Sequence, residues 1–185
     1  RRRQPGIVVF QESKVEVCDK RFMKRLWEVC HRRWVCLSSI GRVGGILVIW
    51  DEKVISHCET LVGEFSLSVR FRNLDNTEWW LTRGYGPNRP ARRKDLWEEL
   101  YGLSGLCSPN WCLGKDFNVV RKSSEKLNGI RTIRGMRDFD LFIKDCELVD
   151  LPLCNTRFTW SNLQENLVCC RLDRFLFSMG WEGFF

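Results

Sequence analysis

The sequence is short of several features that would narrow it quickly. It has only two histidines, His31 and His57, and they form no paired ligand motif. It has ten cysteines, yet no two are spaced C-x-x-C, so neither a zinc knuckle nor a thioredoxin-type redox motif is present. Several cysteines fall on the apolar face of an expected element, where cysteine behaves as a small buried hydrophobe. The reading is a reduced, intracellular chain with no disulfide-linked partner. No apolar run approaches the ~20 residues that a membrane-spanning helix needs. Arg1-Arg2-Arg3 leads into an apolar run, Ile7 to Phe10, that is too short for the core of a signal peptide. Internal repeats, low-complexity tracts and Pro/Gly linkers are missing as well, so one domain is expected over residues 1–185. The first residue is Arg rather than Met, and the expectation is a piece of a longer reading frame.

What the chain does have is apolar bulk and positive charge. Hydrophobic residues make up 44% of it, with twelve Phe and nine Trp, enough for a sizeable core. Thirty basic residues against 23 acidic ones give a formal charge of +7, which suits a polyanionic partner without proving one. The excess is clustered. Arg83, Arg89, Arg92, Arg93 and Lys94 lie in a stretch with no acid, and Arg121, Lys122, Lys126, Arg131, Arg134 and Arg137 share theirs with Glu125 alone. On charge alone these are solvated loops or a phosphate-facing surface, with nothing to choose between them.

Hydrophobic periodicity predicts strands over residues 6–11, 34–37, 45–50, 64–72 and 78–85. In the fourth, Phe65, Leu67, Val69 and Phe71 alternate with Ser66, Ser68, Arg70 and Arg72, which predicts one buried and one exposed face. Asp75-Asn76 turns the chain into the strand that follows. Helices are expected over 19–30, where Asp19 is the N-cap, and over 94–103 and 136–148. A strand over 110–114 runs into Lys115-Asp116-Phe117-Asn118, and strands over 157–161 and 168–177 close the chain. Together these describe an α+β domain built mostly on antiparallel sheet.

Polar residues stand at the ends of several of these strands: Glu12, Tyr85, Asn88, Asp116, Asn118 and Asp173. Loops held by a rigid sheet are where catalytic groups usually project. Each residue also has an ordinary structural reading: Glu12 can simply end a strand, and Asn118 can be a turn residue that tolerates left-handed φ. Their order along the chain carries more. Gln11-Glu12-Ser13-Lys14 resembles the Q-E-S/T-K motif of the endonuclease/exonuclease/phosphatase (DNase I-like) superfamily. Tyr85-Gly86-Pro87 resembles its Y-x-P turn, Asp116-Phe117-Asn118 its G-D-x-N motif, and the segment from Arg171 to Leu176 its R-I/L-D-x-x-L strand. Gly44 to Trp50, Leu96-Trp97-Glu98-Glu99-Leu100 and Phe158-Thr159-Trp160-Ser161-Asn162 narrow the resemblance to the endonuclease of plant LINE-type (non-LTR) retrotransposons. It extends from about Ile7 to Trp181.

The resemblance implies a DNase I-like four-layer α/β sandwich of two packed, mostly antiparallel sheets, incomplete at the N- and C-termini. Glu12 would bind the divalent metal, Mg²⁺. Asp116 would orient or deprotonate the attacking water, Asn118 would hold the nucleophile or phosphate, and Tyr85 would hydrogen-bond the phosphate. Asp173 would orient a histidine belonging to a Ser-Asp-His motif that these 185 residues do not include. The implied substrate is DNA, nicked at a target site in the nucleus by a protein fused to a reverse transcriptase. Catalytic groups that act as a unit lose most of their effect when one is removed, so little or no cleavage is expected from this chain alone. Two other readings stay open: a non-catalytic nucleic-acid-binding or structural remnant, and a phosphatase branch of the same superfamily. Lys115 stands where the family has glycine, and it is expected to strain a glycine-like backbone and to compete for Asp116.

Overall fold

Apolar patterning in the first half of the sequence is mostly that of strands, and among its described residues strands far outnumber helix. The computed structural model describes residues 5–11, 19–27, 30–37, 45–87, 90–128 and 133–184. The chain falls into two compact units, Arg1–Gly84 and Tyr85–Phe185.

The first unit contains β1 (Ile7–Gln11), α1 (Lys20–Leu26), β2 (Arg32–Leu37), β3 (Ile46–Asp51), β4 (Ser56–Val62), β5 (Ser66–Arg72) and β6 (Glu78–Tyr85), whose last residue opens the second unit. β3 lies between β1 and β2, antiparallel to both. Its Leu47 and Ile49 meet Met23 of α1, while Trp50 meets His57 of β4 and Phe71 of β5. A strand covered on both faces has no reason to alternate, which is why Ile46 to Trp50 reads as an unbroken apolar run. α1 is shorter than its periodicity predicts. The Asp19 carboxylate caps it by accepting from the Phe22 N–H at 2.7 Å, but Trp27 already has extended backbone. From that position Trp27 packs against the Met23 cluster.

β4, β5 and β6 form an antiparallel meander. β4 was not expected from the sequence: it pairs with β5 through a bulge between His57 and Glu59 and carries polar residues that mask its alternation. The one-sided reading of β5 needs correcting. Ser66 and Ser68 are buried, and the Ser68 hydroxyl shares a hydrogen bond of 2.7 Å with Thr82 of β6. Serine is tolerated there because its polar group is satisfied across the ladder. Only Arg72 is exposed as expected and Arg70 is half-buried; they pair with Glu78 and Glu59.

The second unit contains α2 (Arg93–Cys107), β7 (Trp111–Asp116), β8 (Lys126–Leu127), α3 (Ile133–Asp145), β9 (Leu148–Asp150), β10 (Trp160–Ser161), β11 (Cys169–Cys170) and β12 (Asp173–Ser178). β12 lies between β7 and β9, antiparallel to both, and β11 lies between β10 and β8 in a small second sheet. Leu96, Trp97, Leu100, Leu103 and Cys107 form the buried stripe of α2, and the Trp97 ring stacks on Phe117 and Phe139. α3 ends at Asp145, because Glu147 turns the chain with a φ of 51° and Leu148 already belongs to β9.

The expected strand over 168–177 is two strands. Between them the Arg171 N–H donates to the Glu125 carbonyl at 3.0 Å, and the N–H groups of Leu172 and Asp173 donate to the Thr159 hydroxyl at 2.9 and 3.0 Å. Those bonds replace a ladder and let β12 change sheet. The nine described cysteines are free, and among the described residues no helix is long and apolar enough to cross a membrane.

Candidate functional site

The β7–β12 register places Asp173 directly opposite Asp116, and Arg174 directly opposite Lys115. Directly opposite residues in an antiparallel ladder share a face. Burial along β12 shows which face is which: Asp173 and Phe175 are exposed, while Arg174 and Leu176 are buried. The two aspartates therefore share the open face at one end of the sheet. Like charges directly opposite each other are destabilising in themselves.

The loop after β7 is fixed from three directions. The Asn118 N–H donates to the Asp116 carboxylate at 2.8 Å, closing a turn in which Asn118 takes a left-handed φ of 51°. The Asn118 side-chain amide donates to the Gly86 carbonyl at 2.7 Å, and Arg93, at the start of α2, donates to the Asn118 carbonyl at 2.9 Å. The Gly86 N–H in turn donates to the Asp116 carbonyl at 2.6 Å. A Cβ on Gly86 would collide with the Phe117 carbonyl, so only glycine lets the Tyr85-Gly86-Pro87 turn lie against this loop. Asp116, Asn118 and Asp173 thus come together in the second unit, with the Gly86 backbone that follows Tyr85 bonded to their loop. Asn118 combines both of its sequence readings, as a left-handed turn residue and as a bridge between two motif loops.

Glu12 lies outside the described residues, as does Asn88. The residue before Glu12 is placed: the Gln11 side-chain amide donates to the Gly84 carbonyl at 2.7 Å, within the first unit. Among the described residues no group of three or more His, Cys, Asp or Glu could hold a metal ion. Mg²⁺ does not need one, because it keeps several waters and takes one or two carboxylates with substrate phosphate. Glu12, the residue expected to hold it, is not among the described residues. The histidines lie elsewhere. His57 is exposed, stacked on Trp50 at 5.3 Å and hydrogen-bonded to Thr60, and His31 is exposed in a turn. The first unit also has an open concavity of about 570 Å³, lined by Arg33, Trp50, Glu52, His57 and Thr60 among others, and it contains none of the expected site residues.

The helix-covered face of the same sheet holds residues that sequence reasoning missed. The Arg174 side chain is fully buried, pairs with Glu125, donates to Asp150 at 2.7 Å and lies over the Phe139 ring. Arg171 donates to Asp150 at 2.8 Å, and Arg121 donates to Asp140 at 2.8 Å. Burial alone would push the Glu125 carboxyl up, but the Arg174 guanidinium and the N–H groups of Arg121 and Lys122 hold it below the usual carboxylate range. Arg121 is therefore drawn out of its basic cluster into a structural network. The signal was available: two arginines inside an apolar strand need acidic partners, and Glu125 is the one acid in its basic run.

Lys115 also departs from expectation. It sits in regular strand, outside the left-handed region, and its side chain points to the face opposite Asp116. It therefore does not strain a glycine-like backbone, and it acts on Asp116 as a nearby charge without a hydrogen bond to it. It is instead fully buried.

No protein-family model matches the sequence, and no curated protein matches it. Solved structures do. An AP endonuclease from Leishmania major superposes with a TM-score of 0.66 at 16% identity, over 95% of this chain and 70% of that one. The endonuclease domain of TRAS1, a telomere-specific non-LTR retrotransposon, gives 0.64 at 13% identity, over 81% of this chain and 68% of its own. Zebrafish (D. rerio) TDP2, complexed with a single-stranded DNA product, gives 0.59 at 11% identity over 94% and 71%. At these identities the likeness is one of fold, and the chain has the α+β, DNase I-like fold of the endonuclease/exonuclease/phosphatase proteins.

Proposed function

We propose that this site belongs to a Mg²⁺-dependent DNA endonuclease of the LINE retrotransposon type, with residues 1–185 forming part of a single domain. The observation that carries the reading is Asp116 facing Asp173 across β7 and β12, with Asn118 tying the Asp116 loop to the Tyr85-Gly86-Pro87 turn. Asp116 takes the proton of the attacking water, a role typically worth about 10²–10⁴-fold. Tyr85 and Asn118 hold the phosphate. Asp173, exposed at the strand end, orients a histidine supplied from outside these residues. Glu12 would hold Mg²⁺, which offsets charge on the leaving oxygen. In the parent protein the domain precedes a reverse transcriptase and works in the nucleus. The DNA-processing proteins of the same fold support the substrate class.

One observation favours a second reading, a nucleic-acid-binding remnant without catalysis: His31 and His57 both belong to the first unit and match no Ser-Asp-His motif. Supercoiled-plasmid nicking with Mg²⁺, with and without added imidazole as a stand-in for the histidine, separates the two. The endonuclease reading expects weak or no nicking without imidazole and clear nicking with it. DNA binding that weakens steeply with salt but never leads to nicking would select the remnant. Absence of DNA binding would overturn both.

A further inference from the structure

Two basic side chains lie side by side under the helices of the second unit. Arg174 is compensated by Glu125, Asp150 and the face of Phe139. Lys115, directly across the ladder, is only 1% exposed, and its Nζ has no hydrogen-bond partner among the described residues. The next pair along the ladder, Leu113 and Leu176, is fully buried and apolar. The charged groups that bear on Lys115 are Arg174 on β12, of the same sign, Glu99 on α2 and Asp116 next to it on β7. Neither carboxylate is bonded to it. An ammonium ion in such a place is costly, whereas a neutral amine is tolerable.

We propose that Lys115 is carried in this strand as a neutral amine and acts as a proton-linked latch on the second unit. Deprotonated, it leaves β7 and Asp116 in place. Protonated, it is a buried cation beside Arg174, only partly compensated, that loosens them. Burial lowers Lys115 from 10.5 to about 7, with Glu99 and Asp116 offsetting only part of the effect. The sign follows from linkage. Between those values the unfolded chain binds a proton that the folded chain refuses, so stability is full above the unfolded value and is lost as pH falls towards 7.

The test is thermal and urea unfolding of the whole chain between pH 6.5 and 10, comparing it with Lys115→Met and Lys115→Gly. Subtracting the variants cancels other groups that titrate in the same range. The wild-type unfolding constant should rise by up to about tenfold per pH unit, relative to Lys115→Met, as pH drops from ~10 to ~7. Lys115→Met should be the more stable protein at pH 7 and indistinguishable from wild type near pH 10. Amide protection over residues 111–116 should be lower in wild type than in Lys115→Met at pH 6.5 and equal at pH 9.5. Equal pH slopes in wild type and variant would overturn the proposal. So would two variants that both fold less well than wild type at pH 7.

Discussion

The two faces of the β7-β12-β9 sheet are built from the same residue types to opposite ends. On the open face Asp116 and Asp173 stand opposite each other, with Phe175 exposed two residues further along β12. On the helix-covered face Asp150 and Glu125 close around Arg174 and Arg171. A buried carboxylate bound to several guanidiniums is committed to the fold, whereas Asp173 at its strand end is exposed. The difference shows that charge in a sequence identifies a site only when the partner of each charge is known. Arg121 lies in one of the basic clusters, yet it is tied to Asp140 and Asp150.

Removing one of the buried partners should break this contrast most severely. Asp150 is 5% exposed at the side chain and serves three arginines, so Asp150→Ala leaves buried guanidiniums uncompensated. A loss of about 3–5 kcal/mol is expected by urea denaturation, of the order seen when one partner of a buried pair is removed. A smaller effect is expected on the open side from Gly86→Ala. The added methyl must push the Tyr85 turn off the Phe117 carbonyl, at about 1–3 kcal/mol, and amide shifts around Asp116 and Asn118 should accompany the loss. The smallest effect belongs to the first unit's surface. Glu59→Gln removes an exposed partner of Arg70 and should change the denaturation midpoint by no more than ~0.5 kcal/mol.

Much of this architecture was legible, and the failures have physical causes. β6 was read over its full length because Trp79 to Thr82 form a compact strand signal between a clear turn and Tyr85. β4 was missed because Ser56, His57 and Glu59 hide the apolar positions of an edge strand. Ser66 and Ser68 were assigned to solvent because a sequence does not show a hydroxyl partner on the neighbouring strand. The ordered motifs named Glu12, Tyr85, Asp116, Asn118 and Asp173, of which Asp116, Asn118 and Asp173 lie near one another. The pairing of Asp116 with Asp173 depends on strand register, which the text of neither strand states. The arginine network was the least visible part, because Glu125, Asp150 and Arg174 come from three separate segments.

The central claim is that Asp116 and Asp173 work as one unit on the open face. Plasmid nicking with Mg²⁺ and imidazole should be compared in wild type, Asp116→Ala, Asp173→Ala and the double variant. Each single variant should lose most of the activity, and the double should fall little below the worse single, as expected for groups that act together. Single variants that nick as well as wild type, or losses that multiply in the double, would contradict it.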